Sequence, residues 1–138
     1  RRRITAAFAA LVGFAVGCGN DAAERAPVFP AHGSLSVKGQ PAHGALVVLH
    51  PRDSTSGAPS PRANVDAQGR FVVSTYDAAD GAPAGEYVVT VNWYKLVKDK
   101  NDVRVGPNVI PRKYGTPQSS DIVVRIAAGE NQLPPIKL

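Results

Sequence analysis

The chain of 138 residues is short of several things on which folds and active sites commonly rest. It has a single cysteine, no methionine and no apolar run as long as a membrane span. One cysteine rules out an intramolecular disulfide, so an exported fold must stand on its own core. The longest apolar run, residues 4–17, falls short of the roughly 20 residues needed to cross the hydrocarbon. With 13 glycines, 12 prolines and no methionine, the composition suits short strands and many turns better than a helical bundle. Catalytic patterns are missing as well. There is no Gly-x-Ser-x-Gly elbow, and His32, His43 and His50 lack the His-x-His or His-x-x-x-His spacing of a metal site. The net charge of +5 does not point to nucleic acid, because Arg1, Arg2 and Arg3 supply three of the charges and the remainder of +2 is ordinary.

What is present from His32 onward is a succession of short alternating runs separated by turn signals. In "SLSVKG" Leu35 and Val37 share a face; in "GALVVLHP" Ala45, Val47 and Leu49 take one face, with Leu46 and Val48 on the other, as in a strand buried on both sides. "RANVDAQGRFVVST" predicts a hairpin: Asp66 and Gly69 suit the first and fourth positions of a type I turn, and Phe71 and Val73 point inward. Pro83 and Gly85 predict a second turn, before a long strand on which Tyr87, Val89, Val91 and Trp93 alternate. Ile122, Val124 and Ile126 predict a further strand, and "LPPIKL" a short edge strand. About seven strands and no convincing helix predict a single all-β domain, a seven-stranded antiparallel β-sandwich over residues 32–138.

The N-terminal "RRRITAAFAALVGFAVGCGN" has a cationic start, an apolar stretch and a small residue before Cys18, the layout of an export signal. Its end, Ala15-Val16-Gly17-Cys18, resembles the bacterial lipobox, with Ala15 at a position more often leucine. The resemblance implies a lipoprotein signal peptide over 1–17 and a diacylglycerol thioether on Cys18. A thiolate is the nucleophile such a linkage needs, and two or more acyl chains anchor firmly where one does not. Residues 18–31, with the polar, proline-bearing "GNDAAERAPVFPA", are expected to be a flexible spacer. Gly19 stands where aspartate can serve as an inner-membrane retention signal, which favours the outer membrane.

The domain itself resembles the small transthyretin-like, carboxypeptidase-regulatory-like domains of short bacterial lipoproteins. The landmarks that carry this are "GSLSVKGQPAHGALVVLHP", "VDAQGRFVVST", "DGAPAGEYVVTVNW" and "IPRKYGTPQSSDIVVRIAAGEN", in order across residues 33–138. The resemblance implies a prealbumin-like, Ig-like sandwich with no established activity. Hydrolases sharing that sandwich use a C-terminal Tyr-Arg-Gly-Ser, whereas this chain ends in "PPIKL", so their activity is not carried over.

The expectation is therefore a lipid-anchored, non-catalytic protein of the bacterial envelope, monomeric and without cofactor, metal or nucleic-acid partner. Asp66 reads as turn chemistry, and Asp77 and Asp80 as solvated turn carboxylates rather than a cation site. The candidate contact surface is the stretch 95–115, read as a long loop without clear periodicity. There Lys95, Lys98, Lys100, Arg104, Arg112 and Lys113 are placed to meet an acidic envelope glycan or protein, with Tyr94 and Tyr114 as flat contacts.

Overall fold

The computed structural model describes residues 25–53 and 59–138. Cys18, residues 1–17 expected to be a signal peptide, and most of the expected spacer lie outside the described residues. The expected all-β sandwich is what forms. Its strands are β1 (Val28–Phe29), β2 (Ala31–Val37), β3 (Gln40–Pro41), β4 (Leu46–Pro51), β5 (Arg62–Asn64), β6 (Arg70–Val72), β7 (Ala82–Pro83), β8 (Gly85–Asn92), β9 (Tyr94–Asp99), β10 (Asp102–Asn108), β11 (Val123–Ile126), β12 (Asn131–Gln132) and β13 (Ile136–Lys137). They exceed the seven expected runs because short strands also form outside them: β1 in the expected spacer, β3, β7 and β12 in connecting segments, and β9 and β10 in the expected loop.

One sheet is antiparallel throughout, in the order β11-β8-β4-β5. The other is built on β2. Antiparallel β6 and β3 follow one another on one edge, while β12 and β13 pair in parallel on the other. The C-terminal run "LPPIKL" thus closes the second sheet, its Leu138 amide donating to the Ser36 carbonyl at 2.9 Å. Between the sheets, every second residue is inward. Leu35 of β2, Val47 and Leu49 of β4, Phe71 of β6, Val89 and Val91 of β8 and Ile126 of β11 are all 2% exposed or less. Burying side chains of this size contributes about 1.5–3 kcal/mol each before entropy is counted, which is why the alternation dictates the register. Leu46 and Val48 are only half-buried, so β4 is covered fully on one face alone.

The Asp66–Gly69 hairpin forms as expected and turns out to be a corner between the sheets, since β5 pairs with β4 and β6 with β2. Gly69 takes φ +79° and donates to the Asp66 carbonyl, while Asp66 Oδ1 accepts from the amides of Gln68 and Arg70.

Among the described residues the first strand begins at Val28, ahead of the expected boundary at residue 32. β1 pairs with β7, and Arg25 lies 5.0 Å above the Tyr76 ring and 3.2 Å from Asp77. The strands meet because Gly81 has no side chain: at φ +98°, a Cβ there would lie 1.9 Å from the Phe29 carbonyl oxygen. The end of the expected spacer is thereby part of the sandwich.

Candidate functional site: the β9–β10 ribbon

After Asn92 the chain leaves the sandwich and returns at Val109 as a two-stranded antiparallel ribbon. Residues 95–115, expected to be a loop, are mostly this hairpin: Leu96 faces Val105, Val97 faces Arg104, Lys98 faces Val103 and Asp99 faces Asp102. The periodicity was present in "DVRV" and "KLVKD", where apolar and charged residues alternate with period 2, but the charges dominate the composition and mask it. Lys100 occupies the two-residue turn at φ +34°. Among the described residues β9 and β10 pair only with each other.

The ribbon is clamped at its base. Asn108 Oδ1 accepts from the amides of Trp93 and Ile110 at 2.8 and 3.1 Å, and its Nδ2 donates to Asn92 Oδ1 at 2.9 Å. Trp93 is half-buried and donates through Nε1 to the His43 carbonyl, fixing the chain as it leaves β8. Lys95 Nζ sits 4.4 Å from the centre of the Trp93 ring, a cation–π contact. Asn108 carried no signal in the sequence beyond its position before Val109-Ile110-Pro111.

The cationic set splits in two. Lys95, Lys98, Lys100 and Arg104 are on the ribbon, with Arg104 3.9 Å from Asp99. Arg112, Lys113 and Tyr114 form a 3₁₀ turn at its base, against the flank of β8. Lys113 pairs with Asp121, which raises the lysine pKa and lowers that of the aspartate. Tyr114 packs partly on the core, so it is not the flat exposed contact expected, whereas Tyr94 is 54% exposed.

The residues that charge reasoning passed over are apolar. Leu96 is 69% exposed, Val105 67% and Val103 54%, and their cross-strand pairing gathers them on one face of the ribbon with Lys98 among them. Their opposite numbers, Lys95, Val97, Asp99, Asp102 and Arg104, form the second face.

Other polar candidates are engaged in holding the fold. Asp80 accepts from the amides of Thr75, Tyr76 and Asp77 at 2.7, 3.0 and 2.9 Å, so its lone pairs organise a loop. Burial raises its pKa, but the amides of Thr75, Asp77 and Tyr76 together outweigh that and the net shift is downward. His50 Nε2 lies 2.9 Å from Thr90 Oγ1 and burial lowers its pKa, favouring the neutral ring. Among the described residues no three of His, Cys, Asp and Glu converge as metal ligands. A cleft of about 330 Å³ beside Pro51, Pro61, Pro83 and Tyr87 is lined largely by prolines and small residues, and the Tyr87 hydroxyl facing that region donates to the Pro83 carbonyl.

The ribbon and the N-terminal entry lie at opposite ends of β8. Ala26 and β7 adjoin its start at Gly85, and the ribbon departs from its end at Asn92. Eight residues of strand separate them by about 26 Å.

No family model and no curated protein matches the chain. Two solved structures are similar to it. One is a 9R-lipoxygenase from Cyanothece PCC8801, 19% identical with a TM-score of 0.40; the match covers 81% of this chain and 16% of the lipoxygenase chain. The other, from Pseudomonas aeruginosa, is a "putative carbohydrate binding protein", 16% identical with a TM-score of 0.42 over 85% of this chain and 91% of that one.

Proposed function

We propose that this chain is a lipid-anchored, non-catalytic binding module of the bacterial envelope, akin to the transthyretin-like domains it resembles, and that it meets its partner through the β9–β10 ribbon. The observation that carries the reading is the opposition of the two ends of β8. An anchor attached upstream of Arg25 tethers the domain at one pole, and the ribbon extends from the other, with Leu96, Val103 and Val105 exposed. Apolar side chains with Lys98 among them and Lys100 at the adjoining turn suit a partner surface with apolar ground and negative charge, a protein or an acidic glycan of the envelope. The non-catalytic part of the reading is supported by the polar groups themselves. Asp66 and Asp80 spend their oxygens on the backbone amides of turns, and His50 faces a Thr90 side chain that is itself buried in the sheet.

The anchor is tested on the full chain. Mass spectrometry of the mature protein is expected to find Cys18 as the first residue carrying acyl chains, and Cys18→Ser is expected to shift the protein from the membrane to the soluble fraction. A mature N-terminus elsewhere, or a serine variant that still partitions with membranes, overturns it. For the contact surface, full chain with Leu96→Ser and Val105→Ser is compared with wild type in envelope pull-downs and on a glycan array; equal retention by both removes the ribbon from consideration.

A further inference from the structure

The two long edges of the ribbon are not equivalent, and the difference identifies what pairs with it. Asp99 and Asp102 face each other across a two-residue turn, so hydrogen bonds are exchanged by the pairs Asp99–Asp102 and Val97–Arg104. The amides and carbonyls of Leu96 and Lys98 on β9, and of Val103 and Val105 on β10, then point outward. The outer edge of β10 is blocked. The Val103 amide donates to Asp102 Oδ1 at 2.8 Å, Pro107 has no N–H to offer, and the register shifts between Val105 and Asn108. β9 has neither proline nor bulge, all six of its residues are exposed, and among the described residues its only strand partner is β10. A two-stranded ribbon is marginal in water, and an open edge is a template for another strand.

We propose that the strand taken up by β9 is β9 of a second copy of this chain, the two ribbons joining antiparallel about a two-fold axis at Val97 to make one four-stranded sheet. An antiparallel partner must bring outward-pointing residues opposite outward-pointing residues, which leaves three symmetric registers. Placing Lys98 opposite Lys98 sets like charges together, and placing Leu96 opposite Leu96 puts Lys95 against Val97. The register between them places Leu96 opposite the second copy's Lys98, Val97 opposite Val97, and Lys95 opposite Asp99. Each of the two unlike pairs occurs twice by symmetry, as a self-complementary interface requires. Opposed charges directly across a strand pair stabilise it and like charges oppose it, so the charge sequence Lys95, Lys98, Asp99 selects this register. It also brings both copies of Leu96, Val103 and Val105 onto one side of the sheet, widening the apolar face. The proposal rests on the ribbon as a contact surface and not on the lipid anchor.

The test is disulfide trapping in the full chain. In the selected register the two Val97 residues form a non-hydrogen-bonded pair, whose Cα atoms lie about 4.5 Å apart, within the range a disulfide spans. Val97→Cys is expected, on mild oxidation, to give a linked dimer that peptide mapping assigns to a 97–97 bond, at a yield about tenfold above Val105→Cys on the blocked edge. Mapping separates this bond from any link through Cys18, which every variant shares. Adding Asp99→Lys to Val97→Cys is expected to lower the yield about tenfold, and exchanging both charges, Lys95→Asp with Asp99→Lys, to restore it. Circular dichroism confirms that each variant keeps the sandwich. Equal trapping at 97 and 105, trapping through 105 alone, or a ribbon that binds anionic vesicles or glycans with no 97–97 bond overturns the proposal. Loss of the envelope partner with the 97–97 bond intact counts against the contact reading of the ribbon and supports the pairing.

Discussion

Strands β8 and β9 follow one another in the chain and carry the same kind of alternating sequence, yet one is the middle of the molecule and the other projects from it. In β8 Tyr87, Val89 and Val91 are 3% exposed or less, while in β9 Leu96 is 69% exposed. The difference does not lie in the apolar residues themselves. β8 has β4 on one side and β11 on the other, and the second sheet lies over its inner face; β9 has β10 alone. Alternation announces a face that seeks cover, and the fold decides which faces receive it within one chain. For β8 the cover is internal; for β9 no described residue supplies it, and the pairing proposed above satisfies the open edge while leaving the widened apolar face to a partner.

The largest expected effect breaks the comparison on the side of the core. Phe71 is 2% exposed and lies under Gly33, where a Cβ would come within 2.6 Å of its ring, so the pocket around it is tight. Phe71→Ala is expected to destabilise the sandwich by about 3–5 kcal/mol, measured by urea unfolding. Leu96→Ala removes a large apolar side chain too, but from a face in water, and is expected to change stability by less than about 0.5 kcal/mol. Comparable losses from the two substitutions, measured at a dilution that separates the copies, show the ribbon packed as firmly as the core and end the distinction.

A middle-sized effect concerns how the entry pole is held. Asp80→Ala releases three amides from a charged acceptor and is expected to cost about 2–3 kcal/mol, with Arg25 and β1 loosened by the loop it holds. The carboxylate pKa is lowered in the fold, so its contribution is complete above the unfolded value near 3.9 and disappears as pH falls through the folded one. Acid unfolding is accordingly expected to be steeper in the wild type than in Asp80→Asn. If the asparagine variant has the same acid profile, the loop is held by other bonds.

How much of this was written in the sequence follows the same division. The turn at Asp66–Gly69, the inward set Val47, Leu49, Phe71, Val89, Val91 and Ile126, and the closing run at Ile136 were legible because local turn chemistry and period-2 burial both act over a few residues. The ribbon was not, because Lys95, Lys98, Lys100, Arg104 and two aspartates hide a short alternation that no core confirms. The β1–β7 pairing and the ties beside it join residues about 50 positions apart, Arg25 with Asp77 and Ala26 with Tyr76, and nothing in a local pattern reports them. The corner hairpin belongs between these cases: its turn was visible, but that its strands join different sheets is a tertiary fact.

The smallest expected effect sharpens the comparison within the first sheet. Its outer face is only half-covered along Leu46 and Val48, yet Thr90, on that same face, is 2% exposed and contacts His50 Nε2 at 2.9 Å. Burial lowers the His50 pKa below its ordinary value of 6.5, so the folded protein binds fewer protons there than the unfolded chain. The sign follows directly: the contribution to stability is complete above pH 6.5 and is lost as pH falls through the folded pKa. His50→Gln keeps a hydrogen-bonding group opposite Thr90 and removes the proton. Between pH 8 and pH 5 the wild type is expected to lose less than about 1 kcal/mol more than the variant, because much of the ring faces water and is screened. Urea midpoints across that range read the difference, in a window well above the one in which Asp80 acts. Parallel profiles for the two proteins mean that His50 is as solvated in the fold as out of it, and that Thr90 owes its burial to neighbours on its own face such as its cross-strand partner Val48.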